Sequence, residues 1–479
     1  MKPIGGRNAM DIPQRGVTAQ LAAWVHGLKP DDIPERVRTR AKYLLLDGVG
    51  AALVGAQLPW SRVATDSVLA IEGAGESIVV GTSRTTSAPA AVLLNSTFVQ
   101  GFELDDFHPI APLHSDSLVI PAILAMAQAG FDVSGADALT AAVAGFEVGP
   151  RVGRALHGSQ MLSRGWHSGP VFGTHTAAMT TGKLCGLDAA QLEDALGMAG
   201  TQSGGLMAAQ YEAMSKRMQH GFAARNGFYA ARLAAGGYTG IKAVFEREYG
   251  GFLAVFGEGH DPAPEEIVAQ LGERWETEII MVKSFAAMGG LHGAVEAALA
   301  LRSEHTIDVD QIDRIDVAVG DTVYHHGWWP PERPLTPIGA QMNIAYAVSV
   351  ALCDGQVLTR QFTSERLDAD DVWALIDRVR VRHATEYDTA EPHKRFATDL
   401  RITMRDGTEL AKHVVMPHGS PFDPVTAQEI VDKYRRLTEP ALTPARQNAI
   451  ETAVLGLDEA GDLNELIDLL APAVTGVLD

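Results

Sequence analysis

The stretch "ADALTAAVAGFEVGPRVGRALHG", residues 136–158, constrains the fold more than any other part of the chain. Small and apolar residues fill nearly every position, so a helix built from it has no broad polar stripe to offer water. Such a helix must be buried on most sides, which requires several packed helical layers. "LVIPAILAMAQAG" (118–130) and "GTHTAAMTTGKLCGLDAAQLEDALGMAGTQSGGLM" (173–207) continue the style, and their small residues permit close helix packing. In "IPERVRTRAKYLLLDGVGAALVG", Val37, Ala41, Leu44, Leu45 and Val49 recur at helical spacing, with Glu35, Arg38 and Lys42 mostly off that face. A chain of 479 residues with 46% hydrophobic content is long enough for such a core and for a second module.

The pattern changes near residue 275. "IDRIDVAVG" alternates Ile312, Ile315, Val317 and Val319 with polar residues, as a strand does. "RVRVRHA" and "DLRITMRDGTELAKHVV" follow suit, the latter turning at Asp406-Gly407. Helical stretches lie between them in "GGLHGAVEAALALRSEH", "QMNIAYAVSVALCDG" and "DDVWALIDRVR". Two helices, "TAQEIVDKYRRL" and "GDLNELIDLLAPAV", are expected to close the chain. The fold class expected is mainly α. A large all-helical domain (1–270) is interrupted by a smaller inserted α+β lid domain (271–415), and residues 416–479 return to the helical domain.

A formal net charge of −20 argues against a nucleic-acid or anionic-membrane partner. Cys185 and Cys353 are too few for a disulfide framework, a structural zinc site or an iron–sulfur cluster. The amino-terminal "MKPIGGRNAMDIPQRG" lacks the apolar region of a secretion signal, and no run of 18 apolar residues occurs. The plain expectation is a soluble, cytoplasmic protein.

Against this acidic background, "MSKRMQHGFAARNG" gathers Lys216, Arg217, His220 and Arg225. The choice is between a solvated helix face and a pocket for an anion. The densest polar stretch, "ELDDFHPIAPLHSDS", holds Glu103, Asp105, Asp106, His108, His114 and Asp116. Carboxylates beside imidazoles ligate metals, run acid/base chemistry, or simply cap helices. His108 and His114 stand six apart across a Pro-containing loop, which is not the spacing of two ligands on one helix face. His167 sits in a Gly/Pro loop leading into a helix, a place for either an anion site or a hydrogen-bonded turn. Lys216, and Lys283 with His292 just beyond it, precede small-residue helices. Tyr346 is flanked by apolar residues and reads by default as a core tyrosine. "GAGES" is not a full dinucleotide fingerprint, "GTQSGG" is not a nucleophile elbow, and "HHGWWP" (325–330) reads as a packed loop.

Six segments taken in order resemble the MmgE/PrpD family: "ELDDFHPIAPLH", "GWHSGPVFGTHTAAM", "KRMQHGFAARNGFYAARLAAGGYTG", "KSFAAMGGLHGAVEAAL", "AYAVSVALCDG" and "HGSPFDPVTAQEIVDKYRRL". The family includes 2-methylcitrate dehydratase, cis-aconitate decarboxylase and iminodisuccinate epimerase. The resemblance implies a helical domain plus an α+β lid, a homodimer, an interdomain active site, and no metal or other cofactor. It places His114, His167, Lys216, Lys283 and Tyr346 in catalytic positions. Glu103, Asp105, Asp106, His108, Arg217, His220 and His292 are expected to support substrate binding. The chain departs from the family pattern where substrate would sit. "HPIAPLHS" is two residues longer between its histidines, Gln219 stands where a histidine is common, and "SFAAMGGLH" is smaller and more apolar.

The implied chemistry is proton transfer at carbon next to a carboxylate of a di- or tricarboxylate. Preorganised cations stabilise the enolate-like charge, and a histidine carries the proton. Lys216 and Lys283 are the expected carboxylate clamps. Loss of water, as in 2-methylcitrate dehydratase, is the leading expectation. Decarboxylation of a cis-aconitate-type acid and epimerisation of a substituted succinate such as iminodisuccinate are the alternatives, and a carboxylate-binding helical dimer is the non-enzymatic one.

Overall fold

A computed structural model describes residues 16–388, 394 and 396–474. The amino-terminal segment read for a secretion signal lies, up to Arg15, outside the described residues. The small-residue stretches form long helices: Glu35–Gly55, Ala88–Val99, Asp116–Gln128, Gly135–Ala155, Ser168–Leu184 and Ser215–Ala235. The Ser168–Leu184 helix is central, packed between Gly135–Ala155 and Ser215–Ala235. Glycine makes these contacts possible. A Cβ on Gly149 would stand 2.0 Å from Thr176 Oγ1, and one on Gly227 would stand 2.4 Å from the Thr174 carbonyl oxygen. Leu118, Val119, Val143, Phe146, Val171 and Phe172 are fully buried in this core, as the lack of a polar stripe required.

The first domain is not purely helical. Strands β1 (Ser77–Val79) and β2 (Arg84–Thr86) form an antiparallel ribbon, pairing Ser77 with Thr86. Asn95 pins it by accepting from the Val80 amide at 2.9 Å and donating to the Ile78 carbonyl at 2.9 Å. Three-residue strands are too short for alternation to register in sequence.

The later strands fall where alternation placed them. β3 (Ile312–Val319), β4 (Val379–His383), β5 (Thr398–Met404) and β6 (Glu409–Val414) form one sheet in the order β4-β3-β5-β6. β3 runs parallel to β4 and antiparallel to β5, and β5–β6 is the hairpin at Asp406-Gly407. Helices His292–Glu304 and Ile344–Asp354 pack on each other, the former against β5 and β6 and the latter against β4. They make a second core with Ile315, Val317, Leu400 and Ile402.

Trp275, Ile280 and Val282 still belong to the first core, and the second takes over at Ala286, having already drawn in Val54, Leu58, Trp60, Phe102 and Leu104. The change of core therefore falls some ten residues beyond the change of sequence style. The Ala427–Thr438 helix returns to pack on Glu35–Gly55. Three helices close the described chain rather than two, because Pro444–Leu455 precedes Asn464–Leu470. Its start was written in the sequence: Thr443 Oγ1 accepts from the Arg446 amide at 3.3 Å, and proline occupies the first helical position. "HHGWWP" is likewise not all loop, since His325 and His326 end the helix Asp321–Gly327.

Candidate active site

The site is built around a loop, a helix start and a crossing segment. The loop leaves the Ala88–Val99 helix and carries residues 101–115. Phe107 exchanges backbone hydrogen bonds with Met281 at 2.9 and 2.8 Å, which sets Lys283 beside the loop's acids. The third element is the first turn of Ser215–Ala235, bearing Lys216 and Arg217. Cations in a first turn oppose the helix dipole, so they need a nearby anion.

Glu103 is that anion. Its backbone takes φ 53°, a left-handed conformation that non-glycine residues adopt rarely. Its Oε1 accepts from Lys216 Nζ at 2.5 Å and from the Arg217 guanidinium, while Oε2 accepts from Lys283 Nζ at 2.8 Å. Lys283 also donates to Asp105 at 3.3 Å. Burial alone would raise the Glu103 pKa, but Lys216, Lys283 and Arg217 outweigh it and hold the carboxyl well below its usual range. Asp105 is likewise brought down, against its burial, by His114 and Lys283. Burial lowers Lys216 to about 8, more than Glu103 restores. For Lys283, Asp105 and Glu103 together overcome burial and raise the pKa.

These groups border a cleft between the two cores. Of the residues expected from sequence, Glu103, His114, His167 and Lys216 line it. Arg217 and Lys283 are buried behind Glu103, and Arg217 is further held by Gln341 Oε1 at 2.6 Å. Lys283 is thus not placed to clamp a substrate carboxylate. It positions the carboxylate that positions Lys216.

His114 presents Nδ1 to the Asp106 carbonyl at 2.8 Å, with Asp105 Oδ2 3.0 Å away. Its other nitrogen is left for the cleft. His167 precedes the Ser168–Leu184 helix, and its Nδ1 lies 2.9 Å from Gln219 Oε1. The Gln219 amide is oriented by Leu206, whose N–H reaches Oε1 at 2.9 Å and whose carbonyl accepts from Nε2 at 3.0 Å. With the oxygen so placed, His167 Nδ1 carries the hydrogen and Nε2 is the basic nitrogen. Burial, then Lys216 and His114, push the His167 pKa well below 6.5, so the ring is neutral. His220 lies beneath both rings, 5.1 Å from His114 and 4.9 Å from His167 between centroids. It is fully buried without lining the cleft, and neither of its nitrogens has a hydrogen-bond partner among the described residues.

Four expected residues stand elsewhere. Asp106 accepts from the amides of Ser115 at 2.7 Å and Asp116 at 2.9 Å and so caps the next helix. His108 is buried 3.0 Å from Glu276, within a network that includes Arg154. His292 faces the Ala287 carbonyl at 3.2 Å and packs on Phe285. Tyr346 sits in the second core with its hydroxyl donating to the Gln361 carbonyl, which corrects the expectation that it holds a catalytic position. Apolar flanks made Tyr346 a core residue by default, and that default describes its surroundings.

Sequence reasoning singled out neither Met207, Met288 and Met342 nor His326 and Phe396, all of which line the cleft. Lone methionines carry no chemical signal, and His326 was conspicuous only as part of "HHGWWP". Among the described residues no group of three or more His, Cys, Asp or Glu is placed to hold a metal ion, and no helix is long and apolar enough to cross a membrane.

The MmgE/PrpD N-terminal domain model matches residues 19–265 and the MmgE/PrpD C-terminal domain model residues 285–459. The chain is 46% identical to the cis-aconitate decarboxylase-like protein oryM of Aspergillus oryzae, covering 96% of this chain and 98% of that protein. It is 42% identical to cis-aconitate decarboxylase of Aspergillus terreus, covering 95% and 96%. To cis-aconitate decarboxylase of Mus musculus it is 25% identical, covering 95% and 93%. Two family models that together span most of the chain, and relatives matching nearly end to end, agree with the resemblance drawn from six motifs: the chain belongs to the MmgE/PrpD family.

Proposed function

We propose that this protein is a lyase that decarboxylates an unsaturated polycarboxylate of the cis-aconitate type. The observation that carries the reading is the convergence of Lys216, His114 and His167 on one cleft, with Glu103 and Asp105 fixing their charges. The full-length relatives named for cis-aconitate decarboxylation turn the expectation from water loss to carbon dioxide loss.

The electron flow is simple. The bond between the methylene carbon and its carboxylate breaks, releasing carbon dioxide, and its electron pair forms a new terminal double bond. The displaced π pair moves to the carbon beside a second carboxylate as an enolate-like dianion, and a proton delivered there completes the product. Lys216 faces that carboxylate as a point charge. His114 delivers the proton, with Asp105 supplying the counter-charge an imidazolium needs. His167, held neutral, accepts or relays rather than supplies the first proton. The second core acts as the lid over this cleft, and the active form is a homodimer, to be checked by light scattering.

The test is proton NMR in D₂O with cis-aconitate and with 2-methylcitrate. Decarboxylation gives a terminal-alkene dicarboxylate with one deuterium at the new methylene. Water loss from 2-methylcitrate without any decarboxylation would return the protein to the dehydratase reading.

A further inference from the structure

The cleft has two unlike ends. At one, Glu103, Lys216, His114 and His167 converge. Another part of the lining comes from Ser159 and Leu162 in the Gly158–Ser163 helix, Thr322, Val323 and His326 in the Asp321–Gly327 helix, and Met288. The two short helices pack together, making this wall continuous. It holds no formal charge. Burial pushes the His326 imidazole down to about 4, so the ring is neutral, and its Nε2 has no partner among the described residues. Lys216 is the one lysine or arginine lining the cleft among the described residues.

A six-carbon tricarboxylate brings three negative charges and little else. One or two of its carboxylates find partners at the Lys216 end. A third against the uncharged wall would exchange its water for no cation, with only the neutral His326 ring and the hydroxyl residues Ser159 and Thr322 in the lining. The wall suits hydrocarbon instead, and its methionines adapt to an irregular chain. Glycine lets the backbone approach this wall closely. A Cβ on Gly290 would stand 3.1 Å from Val323 and 3.2 Å from the Met288 methyl, and one on Gly289 would stand 3.2 Å from the Phe107 ring.

We infer that the substrate carries a hydrocarbon arm of several carbons, lodged between Leu162, Val323 and Met288 while its carboxylates face Lys216. This rests on the proposed function for the reaction, but not for the binding. The protein therefore prefers an alkyl-substituted relative of cis-aconitate to cis-aconitate itself.

Calorimetric titration with succinate, propylsuccinate and hexylsuccinate tests it without turnover. Affinity is expected to rise along the series, by about fourfold for each methylene buried against the wall. Leu162→Asn, which puts a polar amide on the wall, should make the three affinities converge, and Val323→Asn serves the same end should the first variant fold poorly. Equal or weaker binding of hexylsuccinate, or no heat from any of the three at millimolar concentration, overturns the inference. Turnover of cis-aconitate with no gain from the hexyl chain would leave the proposed reaction standing and remove the arm. A gain from the chain with no decarboxylation of plain or alkylated acid would do the reverse.

Discussion

One loop separates two charge clusters that behave in opposite ways. On the cleft side, Glu103 and Asp105 meet Lys216, Arg217, Lys283 and His114, and both carboxyls are held low in spite of burial. On the far side, Asp106 meets Asp116 and, further off, Asp47. Burial first, then the neighbouring carboxylates, raise Asp106 and Asp116 well above the ordinary value, with backbone amides offsetting only part of it for Asp106. Lys433, 2.6 Å from Asp47, leaves that carboxyl raised as well, because burial dominates. The two sides are equally buried and nearly adjacent in sequence. The sign of the nearest partners, not depth, decides which acids stay ionised.

The largest break in this contrast is Glu103→Gln. It strips three buried cations of their shared counter-charge, and removing one partner of a buried pair costs about 3–5 kcal/mol. The folded carboxyl titrates below its ordinary value, so its contribution is complete above that value and is lost as pH falls through the folded pKa. Urea unfolding should therefore show a large deficit for the variant at pH 7 that narrows below about pH 4.5. A variant as stable as the parent at pH 7 would mean that the cations do not depend on Glu103.

Next is Lys216→Ala, which leaves the fold but removes the ammonium lining the cleft. Loss of one preorganised donor typically costs on the order of 10²–10³ in kcat. Lys283→Ala should instead show its first effect as lost stability, since Lys283 reaches Glu103 and Asp105 rather than the cleft. If Lys283→Ala proved stable and equally inactive, the division between clamp and support would be wrong.

Much of this contrast was legible in sequence, but unevenly. Hydrophobic periodicity located both cores because burial is written along each helix and strand. Glu103, His114, His167 and Lys216 were found as residues of the right chemistry in motifs of the right order. What sequence could not rank was depth. Lys283 and Lys216 look alike, each a lysine before a small-residue helix, yet only a bridge from Phe107 to Met281 decides that one lies behind Glu103. His108 and Asp106 were grouped with the site because they are its neighbours in the chain. A loop can send consecutive side chains to opposite sides, and this one does.

Gln219 sharpens the cleft side at smaller cost. Gln219→Leu removes the acceptor that keeps the hydrogen on His167 Nδ1. Nitrogen chemical shifts of the His167 ring should then show mixed tautomers, with kcat falling by about tenfold, less than the roughly 10²–10⁴ that an acid–base group itself contributes. Gln219→Glu keeps the acceptor and adds charge, so it should preserve the tautomer while raising the His167 pKa. An unchanged tautomer in Gln219→Leu would leave the glutamine only a packing role.

The smallest effect is expected on the far side, from Asp116→Asn. Asp106 and Asp116 titrate as a coupled pair whose folded pKa values lie above the ordinary one. Across the window between those values the folded state holds more protons than the unfolded chain, so stability falls as pH rises. An amide in place of the Asp116 carboxyl resembles its protonated form and removes part of that fall. The variant should match the parent within about 1 kcal/mol near pH 4 and gain on it steadily towards pH 8. Urea midpoints across that range give the answer. Parallel curves would mean that the pair stays ionised in the fold. The far side would then need a cation beyond Lys433 and Arg40, whose Nη2 donates to the Ile280 carbonyl at 2.5 Å.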